Sequence, residues 1–321
     1  MAATSTVGFE EENVLIHVGN CFVTFLPRLG GKIASIRVGD RELLQIPLAP
    51  YGPRTRTMAF EEGDASGWDE CLPSVAGCMV ETAGGPAEVP DHGDLWRVEW
   101  QQMAATATSA SFRGECFSLP LALERAVTLT ETAKGWKLSV AYKATNTGSF
   151  TAPWSWCAHT SYAAETGDRV LLPESINTLL LEGSGGGRLG KGGDKVSWPL
   201  ASLVTGGTTD LSVAQGPETG IGDKLFAGPL SAAENWCVLE RPKAGVRIKV
   251  SFDPAATPYL GIWKCHAGWP DRLGTKQSCF ALEPSTAPVD SLAKTGPWSL
   301  ELAPGESFSW PMVVEIESIQ G

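Results

Sequence analysis

The chain is interrupted too often to build helices. Asn20, Gly30-Gly31 and Gly39-Asp40 separate the β-prone segments Val14–Val18, Cys21–Leu26, Lys32–Val38 and Glu42–Leu44. Apolar runs divided by such turn residues predict hairpins. The pattern continues through Leu95–Gln101, Ala110–Phe117, Leu121–Thr130, Trp136–Thr145 and Thr151–His159. It resumes at Trp236–Arg241, Gly245–Phe252, Tyr259–Cys265, Ser278–Leu282, Trp298–Leu302 and Ser307–Ile316. Almost no long window carries a 3.6-residue apolar period. Strands without intervening helices argue against a parallel βαβ sheet. The expected fold class is therefore all-β, a large antiparallel β-sandwich in which each strand buries alternate residues. No composition break marks a linker, so residues 1–321 are read as a single domain, with strands from about residue 7 to 318.

The net charge of −11, from 25 basic and 36 acidic residues, opposes binding to nucleic acid or an anionic membrane. There is no basic run, and no apolar run long enough to span a bilayer as a helix. Eight cysteines are scattered without a C-x-x-C pair, which removes the zinc-ribbon and thioredoxin readings. The N-terminal residues lack a basic region followed by an apolar stretch, so a cytoplasmic protein is expected. The glycine tract from Gly183 to Gly193 approaches a phosphate-loop spacing. However, Gly192 stands where Ser or Thr belongs and no helical pattern follows, so it reads as a flexible surface loop.

Three polar clusters stand out against this background. In the run that ends at His159, alternation puts Ser155, Cys157, His159 and Ser161 on one face, with Trp154 and Trp156 on the other. A face of small polar residues suits a cavity wall. The same alternation sets Cys279, Ala281 and Glu283 opposite Phe280 and Leu282. A glutamate in an apolar strand is costly unless it is paired, bonded or used. Pro284 is expected to end that ladder. His92 lies in a turn, Pro90-Asp91-His92-Gly93-Asp94, and is placed to donate a hydrogen bond to a ligand oxygen. No third or fourth ligand lies near it at a metal-binding spacing, so no metal and no cofactor is called for. Asp69 and Glu70 are adjacent and face opposite ways in a strand, so at most one lines a site. Of the twelve tryptophans, Trp68, Trp96 and Trp263 lie beside polar clusters and could offer indole faces to a sugar. Two imidazoles and a carboxylate suffice for acid–base chemistry on a neutral substrate.

The order and wording of these clusters resemble the aldose 1-epimerase (galactose mutarotase-like) family. The likeness rests on Gly30-Gly31-Lys32-Ile33-Ala34-Ser35-Ile36, Gly67-Trp68-Asp69-Glu70-Cys71-Leu72-Pro73, His92-Gly93-Asp94-Leu95-Trp96-Arg97, Ala158-His159 and Leu282-Glu283-Pro284. It implies the galactose mutarotase-like supersandwich and a small-molecule sugar substrate. It also implies Glu283 as base on the anomeric hydroxyl, His159 as acid on the ring oxygen and His92 as a substrate-binding residue. Near neutral pH, that division of labour calls for an ionised Glu283 and a protonated His159. Trp68, Asp69, Trp96, Arg97, Asp223 and Trp263 complete the expected substrate-binding set. One departure is visible: Thr160-Ser161-Tyr162 follows His159, where the best-known galactose mutarotases have Pro-Tyr-Phe, so a divergent branch is expected. Three other readings stand beside the isomerase. One is a sugar-phosphate epimerase with Arg54, Arg56 and Arg97 clamping the phosphate. The second is a carbohydrate-binding module without catalysis. The third is a glycoside hydrolase or lyase on a similar sandwich; hydrolysis would need a second carboxylate beside Glu283, for which the sequence offers no strong partner beyond Asp223 as a candidate.

Overall fold

Two antiparallel sheets carry the chain in a computed structural model that describes residues 13–271 and 274–319. The expected start near residue 7 lies outside the described residues. The larger sheet has eleven strands. Its central order is Lys32–Val38, Trp68–Cys71, Cys157–Ala163, Ser278–Ser285, Tyr259–His266, Ile221–Ala227 and Thr178–Ser184. The second sheet has eight strands, with the long pair Leu121–Thr132 and Gly135–Asn146 beside Ser307–Ser318. Ladders between named strands are antiparallel throughout. Among the described residues no helix is long and apolar enough to cross a membrane.

The core lies between the sheets. Val127, Leu129, Leu138, Val140 and Val314 from the smaller sheet meet Ile33, Trp68, Ala158, Tyr162, Ile262, Phe280 and Leu282 from the larger one in one apolar cluster. Each of these strands buries its alternate residues there, as period-two sequences must. A polar bridge crosses the same space. Glu70 accepts hydrogen bonds from Arg125 (2.9 Å), Tyr142 (3.0 Å) and Trp156 (3.0 Å), and both charged groups are fully buried. Its neighbour Asp69 points to the other face, so the two acids part as a strand requires.

Two expected strands and one expected strand end are corrected. Leu95–Gln101 is a short 3-10 turn, Leu95–Arg97, followed by the strand Gln101–Ala105. The turn buries Leu95, Trp96 and Arg97 together, which an alternating strand could not do. Thr151–His159 divides into Ala152–Trp154, which pairs with Leu300–Leu302, and Cys157–Ala163 in the larger sheet. Pro284 does not end its strand. The ladder runs on to Ser285, with Pro284 opposite Leu260. The glycine tract is the loop 185–194 between Thr178–Ser184 and Lys195–Ser197; it opens on a 3-10 turn, Gly185–Gly187, with Gly186 and Gly187 at positive φ.

Candidate active site

Register builds the site. In an antiparallel ladder, directly opposed residues share a face. His159 lies opposite Asp69, Ala281 opposite both Ser161 and Trp263, Glu283 opposite Gly261, and Lys224 opposite Trp263. These residues occupy the face of the larger sheet that looks away from the core. Small residues at Ala281 and Gly261 leave the floor open. A Cβ added at Gly261 would lie 3.0 Å from Glu283 Oε2, so any side chain there would crowd the carboxylate.

A cavity over this floor is lined by His92, His159, Glu283, Lys224, Asp290 and Trp263, with Phe60, Asp91, Trp269 and Gln277 around them. His159 Nε2 is 3.8 Å from Glu283 Oε1. The other oxygen, Oε2, accepts from Lys224 Nζ and from the Cys157 thiol at 3.3 Å. Oε1 is buried and accepts no hydrogen bond among the described residues. Burial alone would raise the Glu283 pKa, but Lys224 and the other neighbours outweigh it and hold the group below the usual carboxylate range. Burial takes His159 down to about 3, only partly opposed by Glu283. The imidazole is therefore neutral at pH 7 in the free protein, which corrects the expected protonated acid.

His92 comes from outside the sheet, on a turn built for it. Its φ is +59° and that of Gly93 is +68°, and a Cβ on Gly93 would meet the Leu72 carbonyl oxygen at 2.3 Å. Arg97 holds the loop by donating to the carbonyls of Asp91 (2.7 Å), Gly93 and Met58. Asp94 accepts from Phe117 N, Ser118 N and Ser118 Oγ. The His92 ring stacks on Phe60 at 3.7 Å between centroids, and its Nδ1 is 2.8 Å from Asp91 Oδ2. The His92 and His159 rings stand edge to face at 5.3 Å. Trp263 Nε1 donates to Gln277 Oε1 at 2.9 Å, and Gln277 Nε2 donates to Ala65 O, which fixes this wall.

The remaining expected residues do not line the cavity. Trp68 is fully buried in the inter-sheet core. Asp69 is on the site face but is paired with Lys32, which also meets Asp64 at 2.9 Å. Trp96 is buried behind Phe60, edge to face at 5.1 Å. Arg97 is consumed by the carbonyls of the His92 turn. Asp223 has the opposite parity to Lys224 and is held by Arg188 and by Ser184 Oγ at 2.7 Å. The sequence reading passed over Lys224, Phe60, Trp269 and Gln277. Only Lys224 carried a usable signal, a lysine inside the apolar strand Ile221–Ala227 with an aspartate beside it.

No protein-family model and no curated protein matches the sequence. Solved structures do. The Slr1438 protein from Synechocystis sp. PCC 6803 superposes with a TM-score of 0.70 at 16% identity, over 99% of this chain and 100% of that one. A galactose mutarotase related enzyme from Lactobacillus acidophilus gives 0.65 at 15% identity, over 96% and 98%. The GalM/aldose epimerase homologue from C. elegans gives 0.62 at 13% identity, over 97% and 100%. The fold is that of the galactose mutarotase-like proteins. On this galactose mutarotase-like frame the arginines named for a phosphate clamp are all engaged elsewhere. Arg54 pairs with Asp64 and donates to Trp96 O at 2.9 Å, Arg56 lies over the Phe117 ring, and Arg97 holds its turn. None of the three lines the cavity. Among the described residues, no group of three or more His, Cys, Asp and Glu is arranged to hold a metal ion.

Proposed function

We propose that this protein is an aldose 1-epimerase-like isomerase that interconverts the α and β anomers of an uncharged sugar. One observation carries the reading. Glu283 Oε1, which accepts no hydrogen bond among the described residues, and the His159 imidazole face each other across 3.8 Å at the floor of one cavity. In this reading Oε1 takes the proton of the anomeric hydroxyl. The bond from the anomeric carbon to the ring oxygen breaks, and the ring oxygen takes a proton from His159. Rotation about C1–C2 of the open aldehyde and reclosure return both protons and invert the anomeric centre. His159 works from the neutral form, as an N–H donor rather than an imidazolium. Loss of that proton leaves an imidazolate, which is neutralised by the proton that Glu283 accepted in the same event, 3.8 Å away, and reclosure runs these transfers in reverse. His92, anchored through Nδ1 by Asp91, presents Nε2 to a hydroxyl. Trp263 and Trp269 offer indole surface to the C–H face of the sugar.

Polarimetry of freshly dissolved α-aldoses, corrected for the spontaneous rate, is the test. The protein should accelerate mutarotation of at least one free aldose, and Glu283→Gln should remove on the order of 10²–10⁴-fold of that acceleration. No acceleration on any aldose or aldose phosphate would leave a carbohydrate-binding module as the better reading.

A further inference from the structure

We infer that Lys224 is a positioning residue for Glu283: its ammonium occupies Oε2 and leaves Oε1 as the one oxygen presented to substrate. The inference rests on the isomerase reading of the site. It arises from an asymmetry in how the carboxylate is bonded. Among the described residues, both donors that reach Glu283, Lys224 Nζ and Cys157 Sγ, converge on Oε2, while Oε1 accepts no hydrogen bond and faces His159. A carboxylate free to rotate would share its donors between its oxygens. Here rotation would pull Oε2 away from both the ammonium and the thiol, so the two donors together hold the asymmetry in place.

Lys224 is itself held from two sides. Its Nζ lies 3.5 Å from Asp290 Oδ1 and 5.3 Å from the centre of the Phe226 ring. The side chain is buried and takes its place on the cavity floor beside Trp263. Burial would strip its proton, but Asp290 and Glu283 together hold the ammonium above the ordinary lysine range. The cation therefore persists through the neutral range. A fully buried carboxylate without a cation would instead take up a proton and cease to be a base. Lys224 thus does two things through Glu283: it keeps the group ionised and it aims one lone-pair edge. Because its charge is already shared between two carboxylates, it is not free to receive a phosphate or a uronate from a substrate.

The test reads the Glu283 proton directly, independently of any turnover. In the full-length protein, infrared titration should show Glu283 ionised at pH 7, with Glu283→Gln assigning the band. In Lys224→Met, the carboxylic-acid carbonyl band should appear, and the Glu283 midpoint should rise by about one to three pH units. The acid limb of kcat/KM should move up with it while KM changes little. An unshifted Glu283 titration in Lys224→Met overturns the inference. Lys224→Arg separates aiming from charge. Its planar fork engages both carboxylate oxygens, so Glu283 should stay ionised while kcat falls at least about tenfold. Wild-type kcat in Lys224→Arg would overturn the aiming role, and this variant also serves if Lys224→Met does not fold. If the wild type accelerates no aldose, the isomerase reading fails, and the infrared titration still decides the bonding of Glu283.

Discussion

His159 Nε2 stands 3.8 Å from Glu283 Oε1, and the two side chains come from neighbouring strands, Cys157–Ala163 and Ser278–Ser285. Their protonation states determine how the pair can work. Burial lowers His159 to about 3, and Lys224 outweighs burial to hold Glu283 below the usual carboxylate range. Between about pH 5 and pH 9 neither group changes charge. The mutarotation rate, after subtraction of the spontaneous rate, should be flat over that interval and should fall only in acid, as Glu283 gains a proton. A rate that declines tenfold per pH unit above about 6.5 would mean that an imidazolium is the acid, and the neutral-donor mechanism would be wrong.

Removing the His159 donor should slow the reaction without emptying the cavity. His159→Asn keeps a small polar group on the same face and removes the imidazole. A loss of on the order of 10²–10⁴-fold in kcat is expected, with sugar binding by calorimetry close to that of the wild type. Equal losses in binding and in kcat would place His159 in substrate recognition instead.

Much of this site could be read from alternation alone. Period two puts Cys157, His159 and Ser161 together, and Cys279, Ala281 and Glu283 together, and the ladder joins these two faces in register. Alternation also parts Asp69 from Glu70. It cannot tell which strands become neighbours, so Asp223 drew attention while Lys224, one residue on and facing the cavity, did not. The tryptophans misled for a related reason. Trp68 and Trp96 adjoin polar residues in sequence, yet Trp68 packs in the inter-sheet core and Trp96 is buried behind Phe60. Arg97 looked like a ligand clamp because its service to three backbone carbonyls depends on a turn that only the folded chain supplies.

That turn should be fragile at Gly93. An alanine there would need a φ of +68° and would set its Cβ 2.3 Å from the Leu72 carbonyl oxygen. The backbone strain alone is on the order of 1–3 kcal/mol. Gly93→Ala should therefore lower the urea midpoint and displace His92, raising KM. A variant with wild-type stability and KM would show that the turn does not depend on glycine.

The inter-sheet bridge makes a separate claim about stability. Glu70 and Arg125 are both fully buried, 2.9 Å apart. Replacing Glu70 by Gln keeps the shape but leaves the guanidinium without its counter-charge. Breaking a buried pair in this way costs roughly 3–5 kcal/mol. Chemical denaturation should show that loss, whereas the catalytic pH profile of any folded Glu70→Gln fraction should be unchanged, because the bridge lies on the opposite face of the sheet from the cavity. A loss below about 1 kcal/mol, which is the scale of exposed pairs, would mean that water reaches the bridge.

His266 should help set how the fold responds to acid. It is fully buried against Phe280, and neither ring nitrogen has a hydrogen-bond partner among the described residues. Burial, with Lys264 and Arg188 nearby, takes its pKa from 6.5 to about 4. Between those two values the unfolded chain binds a proton that the folded chain refuses. Stability must therefore rise with pH across this window, and it is lost as pH falls from about 6.5 toward 4. His159 adds a drop of the same sign that extends to about pH 3. Replacing His266 by Phe removes one titrating group and breaks no hydrogen bond among the described residues. The thermal midpoint of His266→Phe should fall less than that of the wild type between pH 7 and pH 4.5. Parallel curves for the two proteins would show that the folded state takes up this proton as readily as the unfolded chain does.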